Sequence, residues 1–145
     1  MSDFRALSDS VLASPQIELD DIAAAKALGA TLIVNNRPDG EDPLAPQGDA
    51  IAAAAQAAGI DYVAIPIGHS GFSEVQVDAM LTALAQVGAG GKILAYCRSG
   101  TRSTLLWALA EAKSGTDCDA IARAAMAAGY DVSPIRPMMD MLAAR

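Results

Sequence analysis

Short apolar runs alternate with stretches of helical period along this chain. Residues 1–10 show no clear period and read as a lead-in to a short strand at 11–13, which the turn Ser14-Pro15-Gln16 closes. Glu18, Asp20 and Asp21 then open a helix carrying Ile22, Ala25 and Leu28. Acidic residues suit the positive end of a helix, and Gly29 stops it. The β-branched run at 31–34 predicts a buried strand, and a second helix at 48–58, nearly all alanine, ends at Gly59. A third strand spans 61–67 and ends around Pro66, which has no N–H for a ladder. Ser73 is placed as the N-cap of a helix whose Val77, Met80, Leu81, Leu84 and Val87 share one face. A strand at 92–96 and a helix at 103–113 follow, and helices at 117–128 and 134–144 complete the chain.

Strand and helix alternate four times. Right-handed crossovers then predict an α/β fold, a small and mostly parallel sheet of four to five strands with helices on both faces. At 145 residues, with no repeat or linker, the chain reads as a single domain over 1–145. Much of the 52% hydrophobic content is alanine, so the core is expected to rely on Leu, Ile, Val and a few aromatics such as Trp107. Met138, Met139 and Met141 read as packing on the terminal helix.

Ten basic residues against seventeen acidic ones give a net charge of −7, which argues against nucleic acid or an anionic membrane as partner. An anionic ligand therefore needs a local site. No apolar run reaches the ~18 residues of a membrane span and no signal-peptide pattern is present, so the cytoplasm is the expected compartment. With one histidine and two cysteines, Cys97 and Cys118, the chain offers no zinc ligand set, and no cofactor is implied. Both thiols are expected to be reduced. Cys118, between Asp117 and Asp119, reads as a bystander with a raised pKa.

The candidate local site lies in 92–110. An apolar strand ends in Cys97, passes through Arg98-Ser99-Gly100-Thr101, and enters a helix at Arg102-Ser103. Such a turn aims backbone N–H groups and a helix dipole at one point, where an anion belongs and where a thiolate is favoured over a thiol. Arg102 is placed for bidentate contact with an oxyanion and Arg98 for guidance from the rim. Cys97 as an ordinary buried thiol is the competing reading. Two arginines, hydroxyl residues and a glycine within six positions have no packing purpose there.

Cys97-Arg98-Ser99-Gly100-Thr101-Arg102-Ser103 resembles the active loop of single-domain rhodaneses, whose cysteine carries a persulfide. The wider chain, with Asn36-Arg37-Pro38-Asp39-Gly40-Glu41 and Ser103-Thr104-Leu105-Leu106-Trp107, is similar over residues 11–142 to the beta-lactamase-hydrolase-like protein, phosphatase-like domain family. That resemblance implies a fold like dual-specificity phosphatases, with members described as phosphatases or sulfurtransferases. It makes Arg37, Asp39 and Glu41 rim residues, with Asp39 the expected partner of Arg102, and it implies a sulfur-metabolism protein as partner. A solvated Pro38-Asp39-Gly40 turn is the alternative for that loop.

Two departures separate sulfur from phosphate chemistry. Tyrosine and dual-specificity phosphatases place five residues between Cys and Arg after a histidine, whereas only four separate Cys97 from Arg102 here, and Tyr96 stands where the histidine would be. A shorter loop encloses a smaller space. The loop at 67–72, which should supply a general acid, holds His69 and Ser70 and no aspartate. Sulfur transfer from thiosulfate needs no such acid. The expected activity is a sulfurtransferase, with Cys97 carrying a persulfide, Ser103 tuning the thiolate, and a small anion (thiosulfate, a persulfide or a phosphate ester) as substrate. A phosphatase acting through a phosphocysteine, with His69 or a loop carboxylate as acid, and a non-catalytic anion- or partner-binding module are the alternatives.

Overall fold

Strands whose side chains are apolar on both faces need cover on both. The computed structural model, which describes residues 2–144, provides it. Strands β1 (Arg5–Ala6), β2 (Val11–Ser14), β3 (Ala30–Asn35), β4 (Asp61–Ala64) and β5 (Lys92–Tyr96) form one sheet in the order β1-β2-β5-β3-β4. All pairings are parallel except β1 with β2, as expected of an α/β sheet. Helices α1 (Asp21–Ala27) and α2 (Gly48–Ala57) lie on one face. The other carries α3 (Glu74–Val87), α4 (Thr101–Lys113), α5 (Cys118–Ala127) and α6 (Arg136–Ala143).

The period-two alternation of the strands divides the core. Val11, Ala13, Leu32, Val34, Ile93 and Ala95 pack toward α3–α6, whereas Leu12, Ile33, Leu94 and Tyr96 pack toward Ile22, Ala25, Ile51 and Ala55 of α1 and α2. Helix α4 is apolar on almost every side: Leu106, Trp107, Ala108, Leu109, Ala110 and Ala112 are all buried. A helix of that composition belongs inside, and α3, α5 and α6 surround it. Its N-terminus thereby meets the carboxyl end of β5, the central strand.

The structure departs from the sequence expectations at several places, the first helix opening at Asp21 rather than Glu18 among them. Residues 5–6 of the predicted lead-in form the antiparallel edge strand β1, too short to show a period; Met1 lies outside the described residues. Strand β4 stops at Ala64, two residues before Pro66, although the N–H groups of Ile65 and Ile67 still donate to the Asn35 and Asn36 carbonyls at 2.9 and 3.0 Å. Helix α4 starts at Thr101 rather than Ser103, because Gly100 takes the left-handed conformation, with φ at 91°, and turns the chain directly into the helix. Met139 is fully buried as expected, but Met141 is half exposed. Among the described residues no helix is long and apolar enough to cross a membrane.

Leu106 is fully buried in the larger core. Leu106→Ala is expected to lower unfolding stability by ~3 kcal/mol, whereas Leu44→Ala, at a site 94% exposed, is expected to change it by less than ~0.5 kcal/mol. Urea unfolding of the two variants checks both.

Candidate active site

A peptide unit is planar and trans, so a carbonyl held on one side sends the next N–H to the other. The Cys97 loop is built on this constraint. The Arg98 carbonyl accepts from the Gln16 N–H at 3.2 Å, and the Ser99 carbonyl accepts from the Tyr130 hydroxyl at 3.1 Å. The Gly100 carbonyl accepts from both the N–H (3.0 Å) and the hydroxyl (2.8 Å) of Thr104. With the Ser99 carbonyl held outside, the N–H of the same peptide unit turns inward, and Gly100 N–H donates to Cys97 Sγ at 3.2 Å. Cys97 itself is fully buried at the base of the loop, its own N–H donating to the Ser14 carbonyl at 3.3 Å. Ser99 and Thr101 close the rim: the Ser99 hydroxyl donates to Thr101 Oγ1 at 2.9 Å and accepts from the Thr101 N–H at 3.3 Å.

Arg102 projects from the first turn of α4, and its partner is Glu41 rather than the expected Asp39. Its two terminal nitrogens donate to Glu41 Oε1 and Oε2 at 2.6 and 2.9 Å, and one also reaches the Ile67 carbonyl at 2.7 Å. Glu41 is held from the other side by Arg37 Nε at 2.8 Å, and Arg37 reaches on to Gln16 Oε1 at 3.0 Å. Asp39 is occupied elsewhere, accepting from the Gly48 N–H at 2.9 Å at the start of α2. The Arg102 hydrogen bonds, with Arg37 assisting and against some burial, lower the Glu41 carboxyl to about 2. Arg102 is in turn held charged chiefly by Glu41, with the Cys97 sulfur as a further partner.

Ser103 does not face the sulfur as expected. Its buried hydroxyl donates to Asn36 Oδ1 at 2.7 Å. Asn36, also buried, donates its N–H to the Tyr96 carbonyl at 2.8 Å and its side-chain amide to the Ile65 carbonyl at 2.9 Å. One asparagine therefore ties the carboxyl ends of β3 and β5 and the chain beyond β4 to the first turn of α4. Tyr96 points into the smaller core on the opposite face, where burial pushes its phenol up. Burial and Asp140, more than Asp117, push the Cys118 thiol up, and both cysteines are free. Sequence reasoning gave no role in the site to Gln16, Asn36 or Tyr130; a polar Asn36 right after an apolar strand is the one available signal.

An open cleft of about 600 Å³ fronts the loop, lined by Arg37, Glu41, Asp42, Gly68, His69, Arg98, Ser99, Thr101 and Arg102. Three arginines against two carboxylates make it cationic within an acidic chain. His69 and Arg98 are exposed on its walls. Among the described residues no group of three or more His, Cys, Asp and Glu side chains is placed to hold a metal ion. The arrangement can bind an anion at a helix N-terminus over a buried thiol.

Comparison with known proteins agrees with this geometry. A family model described as beta-lactamase hydrolase-like protein, phosphatase-like domain, matches residues 3–114. The beta-lactamase hydrolase-like protein of Xylella fastidiosa (strain Temecula1) is 35% identical over 109 residues, 75% of this chain and 25% of that protein. The chain thus spans about a quarter of the length of the curated relatives it matches. A crystal structure from Neisseria meningitidis, provisionally described as a phosphatase, is 31% identical with a TM-score of 0.79, covering 95% of this chain and 96% of that one. Tk-PTP in its active form shares the fold at 18% identity, with a TM-score of 0.77 over 99% of this chain and 97% of its own. A cysteine-loop site on a phosphatase-like frame, matched by the family model over three-quarters of the chain's length, makes this chain a member of the beta-lactamase hydrolase-like protein, phosphatase-like domain family.

Proposed function

We propose that this chain is a sulfurtransferase that carries a persulfide on Cys97. The observation that supports this reading best is that Glu41, the carboxylate paired with the arginine of the anion cradle, is not free to donate a proton. Glu41 is fixed as a carboxylate by two guanidinium groups and brought down to about 2. A phosphate ester needs its leaving alkoxide protonated, whereas thiosulfate does not. The Cys97 thiolate attacks the outer sulfur of thiosulfate, a new sulfur–sulfur bond forms to Cys97, and the old one breaks with its electron pair leaving on sulfite. The persulfide keeps the negative charge, which the Gly100 N–H and Arg102 stabilise. A thiophilic acceptor then takes the outer sulfur and restores the thiolate.

The phosphatase-like fold and His69 on the cleft wall favour a second reading, a phosphatase that passes through a phosphocysteine with His69 as acid. Assays with thiosulfate plus cyanide and with an aryl phosphate separate the two. Thiocyanate formation is expected to dominate, and mass spectrometry after thiosulfate treatment is expected to find a reducible sulfur adduct on Cys97. Cys97→Ser should abolish both. Phosphate ester turnover well above thiocyanate formation would sink the sulfur reading, and an adduct on Cys118 would sink the assignment of the nucleophile.

Glu41 has a second consequence. Its carboxyl lies below its ordinary 4.5, so its contribution to stability is fully present above that value and is lost as pH falls toward 2. Because the side chain is partly exposed, that contribution is expected to stay within ~1 kcal/mol. Urea unfolding should therefore show Glu41→Gln less stable than wild type at pH 6, with the gap closing as pH is lowered from 4.5 to 2.5.

A further inference from the structure

The hydrogen bonds around Gly100 carry one role further. Ser99 C=O and Gly100 N–H belong to the same peptide unit. The Tyr130 hydroxyl donates to the first at 3.1 Å, and the second donates to Cys97 Sγ at 3.2 Å. Gly100 has φ at 91° and no side chain to oppose rotation of this unit, so its direction depends on the hydrogen bonds at its two ends. A flip would present a carbonyl oxygen to the sulfur where there is now a donor. Tyr130 closes the C-terminal end of α5 and is itself anchored: its N–H donates to the Ala125 carbonyl at 2.9 Å, and the Arg5 guanidinium lies 5.2 Å above its ring. The residue stands outside the segment that the family model matches, residues 3–114.

We infer that Tyr130 is a positioning residue for the reaction: by gripping the Ser99 carbonyl it keeps the Ser99–Gly100 peptide dipole aimed at the Cys97 thiolate. The role rests on the reading of Cys97 as the nucleophile but not on the choice between sulfur and phosphate. Tyr130→Phe removes only the hydroxyl and leaves the buried ring in place, so the fold is expected to survive.

The experiment alkylates Cys97 with iodoacetamide at fixed pH, locates the product by peptide mass, and follows the Gly100 amide by NMR. Tyr130→Phe is expected to alkylate about ten-fold more slowly, the loss of a hydrogen bond to a charged group, with thermal unfolding near wild type and the Gly100 amide resonance displaced. Arg5→Gln, which keeps the hydroxyl but frees the ring, should move both in the same direction by less. A wild-type alkylation rate in Tyr130→Phe, or a slower rate with the Gly100 amide unmoved, would overturn the role. If Cys97→Ser leaves both thiocyanate formation and aryl phosphate turnover unchanged, the nucleophile reading fails separately, and the Gly100 amide still decides whether Tyr130 orients the peptide.

Discussion

The outward hydrogen bonding of three successive carbonyls, those of Arg98, Ser99 and Gly100, is the constraint on which the site depends. An anion cradle made of backbone has no side chains to aim; it has only peptide dipoles, and their direction is set from behind. The donors come from widely separated parts of the chain: Gln16 after β2, Tyr130 after α5, and Thr104 on α4 itself. The sheet order makes this arrangement possible. With β5 central between β2 and β3, the loop emerges where the carboxyl ends of three parallel strands converge, which is the usual place for ligands in open α/β sheets.

Charge is arranged with the same economy. A chain at −7 would repel a small dianion over most of its surface, so attraction has to be concentrated in the cleft. Glu41 between Arg37 and Arg102 fixes both guanidinium groups in place and cancels part of their charge. The fork of Arg102 is thus held in one orientation, at the cost of net field. Arg98, exposed on the rim, adds charge that Glu41 does not cancel.

The elements that the sequence made legible are those with a strong local signal. The β-branched run of β3, the cap at Ser73 with Gln76 reaching back to its N–H at 2.8 Å, and the Cys97-to-Arg102 spacing all concern neighbours in the chain. What it hid depends on side-chain pairing across the fold. Glu41 and Asp39 sit two residues apart in a turn, and only the three-dimensional path of the loop decides that Glu41 meets Arg102 while Asp39 meets Gly48. Ser103 beside a cysteine loop reads as a hydroxyl for the sulfur, but a buried asparagine on the neighbouring strand end claims it. Tyr130 lies 33 positions from Cys97 in a stretch with no motif at all, so nothing local could have joined it to the loop.

The same tyrosine explains why the loop needs glycine at position 100 for more than its φ angle. A Cβ built there would lie 2.2 Å from the Tyr130 hydroxyl and 3.3 Å from the Ser14 backbone. Removing the hydroxyl would still leave the left-handed φ unfavourable for any L side chain. The tight approach that excludes a side chain is the same one that lets the hydroxyl grip the neighbouring carbonyl. Loop geometry, the missing side chain and the C-terminal helices thus form one mutually dependent set, in which the packing of α5 and α6 on α4 sets the direction of a peptide dipole at the sulfur.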